Sequence, residues 1–234
     1  MPAENHLIEL LPDADRKRLL ACSEPVKLVL EAVLRERDKP TDFVYFPVEG
    51  FASLITRIDG HPGLEVGMVG REGMLGAQLA LGVRISPLHA MVQGGGMARR
   101  IEADAFVKEL ARSMALQGVM NRYLYVLMAQ LAGSVACLRF HMIGPRLARW
   151  LLMSQDRVHS DRFCVTHEFL ACMLGVRRVG ITMAAGVLQR CGLIEYHRGD
   201  LTVLDRAGLE AAACSCYASD CLAYADQLGR ADPK

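Results

Sequence analysis

Three regimes of hydrophobic spacing divide the chain. Over residues 5–22, Leu7, Leu10, Leu11, Leu19 and Leu20 recur at helical steps among charged positions. Pro12-Asp13-Ala14-Asp15 interrupts them, which predicts a turn into a second short helix. From residue 26 to 101, short β-prone runs take over, at 26–30, 33–35, 43–46, 52–58, 64–69, 88–92 and 98–101. Breaks such as Glu49-Gly50 and Asp59-Gly60 separate them, and this rhythm predicts a β-sandwich or barrel-like roll. Residues 72–82, with small residues and helix formers, predict a short helix inside the β domain, either lining a ligand pocket or only packing.

A helical regime follows. Residues 104–140 hold no proline and only Gly118 and Gly133. Leu116, Met120, Tyr123, Leu127, Leu131 and Val135 form an apolar stripe, widened by Leu124 and Met128. A helix of about 33 residues would run roughly 50 Å, more than a small domain needs for internal packing. Pairing with a twin helix is therefore expected, with Leu116, Met120, Tyr123, Leu127 and Leu131 at the contact. The alternative is a helix buried within one subunit. Ile143-Gly144-Pro145 then predicts a helix break, domain boundary and hinge, followed by an amphipathic helix at 146–158.

Residues 165–206 carry the densest signal. Ala171 is small where two helices would cross, and Gly175, four residues later, can take the positive φ of a tight turn. Ile181, Leu170, Leu174, Val176 and Leu188 supply apolar contacts at helical spacing, and Thr166 can cap the first helix. A second helix at 177–191 opens on two arginines. The runs 193–196 and 201–204, joined at 197–200, predict a hairpin, and Asp205 can cap a last helix at 206–228. A helix-turn-helix with a β-wing is a DNA-reading module. An ordinary helical hairpin beside a β-hairpin is the alternative.

Charge modifies this picture locally. The chain has 27 Lys+Arg against 26 Asp+Glu, so its overall charge does not advertise a polyanion partner. Between His141 and Asp200, however, eight arginines face five acids, a modest basic patch. The N-terminus lacks the apolar core of a secretory signal, and no run of about 18 consecutive apolar residues occurs, so a cytoplasmic chain without a membrane partner is expected. The eight scattered cysteines then read as thiols rather than a disulfide framework.

The order of β-roll, long helix, hinge and winged helix-turn-helix resembles the Crp/Fnr superfamily of bacterial transcription regulators. The resemblance covers nearly the whole chain in architecture and is specific at THEFLACMLGVRRVGITMAAGVLQRCGLI. It implies an α+β chain: a cyclic-nucleotide-binding-like β-roll over 1–103, a long dimerisation helix and hinge over 104–142, and a winged helix-turn-helix over 143–234. It also implies a homodimer on palindromic double-stranded DNA, RNA polymerase as a further partner, and a small-molecule or redox effector sensed by the roll. Thr166, His167, Arg177, Arg178, Gly180, Thr182 and Arg198 become the expected DNA contacts, with Arg178 reading a guanine. Val179 and Met183 stand where family members carry a glutamate and a second arginine, so the target site should differ from the commonest one. Gly73, Gly76, Gln78, Arg84 and His89 mark the expected effector pocket. Ala77 and Leu88 occupy the positions of the glutamate and arginine that grip a cyclic nucleotide, so that ligand is not expected unless Arg84 substitutes.

Other chemistry is sparse. Only Cys22 precedes Cys137, which argues against the family's iron–sulfur cluster, and His61 and His89 are isolated as haem ligands. Cys214, Cys216 and Cys221 read first as packing cysteines, then as redox thiols, and last as metal ligands, because on one continuous helix Cys216 would point away from the other two. No metal site is assigned and the cofactor is left open. His141 and His167 lack catalytic partners, and no phosphate loop, His-Glu-x-x-His or nucleophile-elbow motif occurs, so an enzyme is not expected. The rival to a DNA-binding regulator is a ligand-binding or protein-interaction module whose helix-turn-helix serves packing.

Overall fold

The computed structural model describes residues 4–58 and 63–229. The expected turn at Asp59-Gly60 and His61 lie outside the described residues. Two short helices, α1 (His6–Glu9) and α2 (Asp13–Ala21), precede the roll. Asn5 caps α1, its side chain accepting from Leu7 N, and its amide donates to the carbonyls of Pro47 and Gly73.

The β-prone runs all become strands: β1 (Ser23–Leu28), β2 (Val33–Arg35), β3 (Phe43–Pro47), β4 (Phe51–Thr56), β5 (Leu64–Val69), β6 (His89–Gly94) and β7 (Gly96–Glu102). They form a three-stranded sheet, β1-β7-β3, and a four-stranded sheet, β2-β6-β4-β5, with antiparallel pairing throughout. Between β5 and β6, residues Ala77–Leu81 form a single 3₁₀ turn, flanked by Gly76 and Gly82 in the left-handed region.

The long helix is two helices. α3 (Ala103–Arg112) ends at Ser113, whose hydroxyl accepts from Leu116 N and starts α4 (Met114–Phe140). The break also falls elsewhere than expected after α4. His141 leaves helical geometry, and α5 (Ile143–Val158) begins at once, with Gly144 and Pro145 inside its first turn. Proline is tolerated there because the first N–H groups of a helix have no intrahelical acceptor. The helix break is thus His141-Met142.

The second half comprises β8 (Arg162–Cys164), α6 (His167–Leu174), α7 (Arg178–Arg190), β9 (Ile194–His197), β10 (Asp200–Val203), α8 (Arg206–Ala212) and α9 (Cys216–Leu228). β8 joins the hairpin into a sheet of order β8-β10-β9. The expected last helix is interrupted at 213–215, which lets α9 turn back along α4. Tyr224 and Leu228 enter the core formed by α1, β3, α3 and α4, and the His6 ring lies 3.0 Å from the Leu228 carbonyl.

The helix-turn-helix core is continuous with the roll: Phe51 and Met68 pack with Leu147, Leu151, Leu170 and Ile181. Polar contacts bolt the two together. Trp150 Nε1 donates to Glu65 Oε1 at 2.9 Å, Arg157 pairs with Glu72 at 2.6 Å, and Cys172 Sγ donates to the Gly63 carbonyl at 3.1 Å. α4 is long and apolar enough to cross a membrane by length and composition, yet it packs on β5, α3 and α9.

Candidate nucleic-acid interface and sensor pocket

The helix-turn-helix is built as its sequence requires. Thr166 caps α6, its hydroxyl accepting from Phe169 N at 3.1 Å. Gly175 closes α6 in the left-handed region at φ 62, where a side chain would be strained. The chain turns by 109° from α6 into α7, and Ile181, Ala184, Ala185 and Leu188 bury the inner face of α7. β9 and β10 are joined by Arg198 and Gly199, both at positive φ, the geometry of a two-residue hairpin turn. Arg198 thereby stands at the exposed tip of the wing.

The outer face of α7 presents Arg178, Val179, Thr182 and Met183, with Arg177 at its N-cap and Arg190 in its last turn. Val179 and Met183 are 63% and 69% exposed, so the two departures from the family pattern sit on the surface a groove would meet. Such apolar groups suit a thymine methyl better than a phosphate. Gly180 faces inward: a Cβ built there meets Ile143 Cδ1 at 2.8 Å. It is a close-approach position between α5 and α7, so packing alone accounts for a glycine there.

Thr182 and His167 are tied to each other. His167 Nδ1 lies 3.0 Å from Thr182 Oγ1, and that hydroxyl donates to the Arg178 carbonyl at 3.2 Å. The His167 ring stacks on Tyr196 at 4.5 Å, linking α6, α7 and the wing. Desolvation, then the Arg178 charge, lowers the His167 pKa and so favours the neutral ring, whose contacts tie α6 to α7 and the wing. Arg178 has only a loose, solvent-exposed pairing with Glu168 at 3.9 Å and is available to a ligand.

In the roll, the pocket residues separate. Gly73 lies under Tyr123, whose hydroxyl would be 2.3 Å from an added Cβ, and Tyr123 donates to the Met74 carbonyl at 3.2 Å. Gly76, at φ 94, fits against Val44. Gln78 donates to Thr41 Oγ1 at 2.8 Å and accepts from Arg35 Nη1 at 3.2 Å. Arg84 instead pairs with Asp104 on an exposed surface. His89 is half-buried and its pKa is lowered, first by desolvation and then by Arg57.

Sequence reasoning missed Arg35. It lies on β2, bonded to Gln78 and to the Leu88 carbonyl, with no carboxylate against it among the described residues. Burial pushes its pKa down to about 10. Only the strand pairing of β2 with β6 brings it beside Gln78 and Leu88, so no local signal marked it.

α4 also divides differently from its apolar pattern. Leu116, Met120 and Tyr123 are buried within their own subunit, and Leu127 and Leu131 are half-buried. The exposed row is Asn121, Tyr125, Met128, Ala132, Val135 and Arg139, alternating steps of four and three. Leu116, Met120 and Tyr123, expected at a pairing face, are thus spent on the internal core, and this row is what α4 leaves exposed.

The model of a Crp-like helix-turn-helix domain matches residues 145–212. Among solved structures, FixK2 from Bradyrhizobium japonicum superposes with a TM-score of 0.69 at 12% identity, over 82% of this chain and 98% of that one. A transcriptional regulator of the Crp/Fnr family from Eubacterium rectale gives 0.68 at 17%, over 89% and 99%. The c-di-GMP-responsive global regulator CLP of Xanthomonas campestris gives 0.66 at 16%, over 82% and 99%. No curated protein matches the sequence. Residues 145–212 thus match a Crp-like helix-turn-helix domain, and the fold of the chain is the one seen in solved Crp/Fnr regulators.

Proposed function

We propose that the chain is a homodimeric, sequence-specific DNA-binding transcription regulator in which an effector in the β-roll repositions two copies of α7. The observation that carries this reading is the outer face of α7, where Arg178, only loosely paired with Glu168, stands beside exposed Val179 and Met183 on a helix-turn-helix of Crp-like type. Arg178 reads a base edge, Arg177 and the wing-tip Arg198 meet phosphate, and Thr166 and Thr182 hold the two helices in register. Two subunits pair along Tyr125, Met128 and Val135, whose exposed, alternating row suits a coiled-coil seam.

The relay runs through the loop before the 3₁₀ turn. Glu72 pairs with Arg157 of α5, and Gly73 and Met74 lie against Tyr123 of α4. One loop thus touches both the pairing helix and the helix that carries the DNA module. An effector entering beside Gln78 and Arg35 would act on that loop, and Arg35 favours an anionic group.

A mobility-shift titration on genomic fragments at several salt concentrations tests the reading. A regulator retains a discrete high-affinity fragment as salt weakens the rest. Equal, salt-sensitive binding to every fragment, or none, overturns it.

A further inference from the structure

Four potential metal ligands converge at the hinge, and the Crp-like domain match at 145–212 includes none of them. Cys137 is in the last turn of α4, and His141, four residues on, follows that helix on the same side. Cys214 is in the break between α8 and α9, and Cys216 opens α9. Cys137 Sγ lies 3.5 Å from Cys214 Sγ, and Cys216 Sγ lies 3.5 Å from His141 Nδ1. All four ligand atoms are within 4.8 Å of one another.

We infer that Cys137, His141, Cys214 and Cys216 form a tetrahedral zinc site that clasps the start of α9 to the end of α4. Zinc–sulfur bonds of about 2.3 Å and zinc–nitrogen bonds of about 2.0 Å place ligand atoms roughly 3.5–3.8 Å apart in a tetrahedron. The observed cluster is already at that scale, so only small side-chain shifts close it around an ion. Three cysteines and one histidine are a closed structural set, leaving no position for a substrate.

The charge also balances locally. Binding releases a proton from each cysteine thiol to solvent and displaces water from the ion. Zn²⁺ with thiolates from Cys137, Cys214 and Cys216 and a neutral imidazole then carries one net negative charge. The buried Arg146 and the half-buried Arg149, on the first turns of α5, lie beside the cluster and oppose that charge. Arg149 continues to Asp220 of α9 at 2.7 Å, and the Cys214 N–H donates to the Pro145 carbonyl at 3.2 Å. The break at 213–215 that separates α8 from α9 is what brings Cys214 and Cys216 to one point. On a single continuous helix they would diverge.

The site joins the pairing helix, the hinge and the C-terminal helix, so the ion fixes α9 over α4. This inference does not depend on the DNA-binding reading. Protein purified under reducing conditions from zinc-supplemented cells, then desalted, is assayed for metal by mass spectrometry. About one zinc per chain is expected, with Cys214→Ser and Cys216→Ser retaining less than about a tenth of it and the exposed Cys221→Ser retaining all of it. Chelated wild-type protein, needing no substitution, is titrated with Co²⁺. Thiolate charge-transfer and tetrahedral ligand-field bands, bleached by added Zn²⁺, are expected. Reduced wild-type protein that holds no metal and gives no such bands overturns the site. Zinc lost from Cys221→Ser, a sulfide-containing iron cluster, or a Cys137–Cys214 disulfide in place of metal does so equally.

Discussion

Glu65 reports directly on how the DNA module is held against the roll. Its carboxylate sits between β4, β5 and α5, accepting from Trp150 Nε1 at 2.9 Å and from the Ser53 hydroxyl. Burial raises its pKa from 4.5 to about 7, and the two hydrogen bonds and the nearby Arg149 and Arg157 offset only part of that rise. Between these values the folded protein keeps a proton that the unfolded chain has released. The group's contribution therefore favours the folded state at low pH and turns against it as pH rises through the window. Each unit of difference corresponds to about 1.4 kcal/mol, so the whole shift sets a ceiling of about 3 kcal/mol. Residual solvent contact at a half-buried residue reduces the expected change to ~1–2 kcal/mol. Glu65→Gln keeps the shape and the acceptor for Trp150 while removing the titration. Urea unfolding of both proteins, followed from about pH 5 to about pH 8, isolates the effect as a difference. Relative to the variant, the wild type should lose ~1–2 kcal/mol over that range. A flat difference, or one that rises with pH, refutes the enclosure of Glu65 under Trp150.

The remaining predictions concern the module and its couplings. Arg178→Ala should cost about 1–3 kcal/mol at one base pair per half-site, read by competition with single-base variants; uniform weakening on all sequences would make Arg178 a phosphate contact. Met128→Glu should shift sedimentation from dimer to monomer, whereas Met120→Ala should lower unfolding stability by ~2–4 kcal/mol and leave assembly intact. Glu72→Gln should destabilise the folded chain by about 3 kcal/mol in urea titrations, since it strips Arg157 of its buried partner. Thr166→Ala should cost ~1 kcal/mol through loss of the α6 cap, visible as a lower thermal midpoint.

Features encoded within a few residues were legible beforehand. The strands of the roll, the turn at Gly175, the cap at Thr166 and the hairpin each follow from local periodicity or from one residue's backbone freedom. What escaped depends on distant packing. Both faces of α4 are apolar, and only the docking of α9 and the roll decides which is internal. Ser113 inside a proline-free stretch gives no warning that it starts a helix. Gly144 and Pro145 suggest a break, but a helix tolerates both in its first turn. Gly180 reads as a place for close DNA approach until Ile143 is found against it. Arg35, and the cluster of Cys137 with Cys214, join residues far apart in the chain, where spacing carries no information.

Selection from a random duplex pool, followed by footprinting of the winning site, tests the central claim most directly. A dimer presenting two copies of α7 predicts a two-fold symmetric site with half-sites about one helical turn apart, and Arg178→Ala should relax one position in each half. Selection that converges on no sequence, or on an asymmetric site whose readout is unchanged in Arg178→Ala, would contradict it.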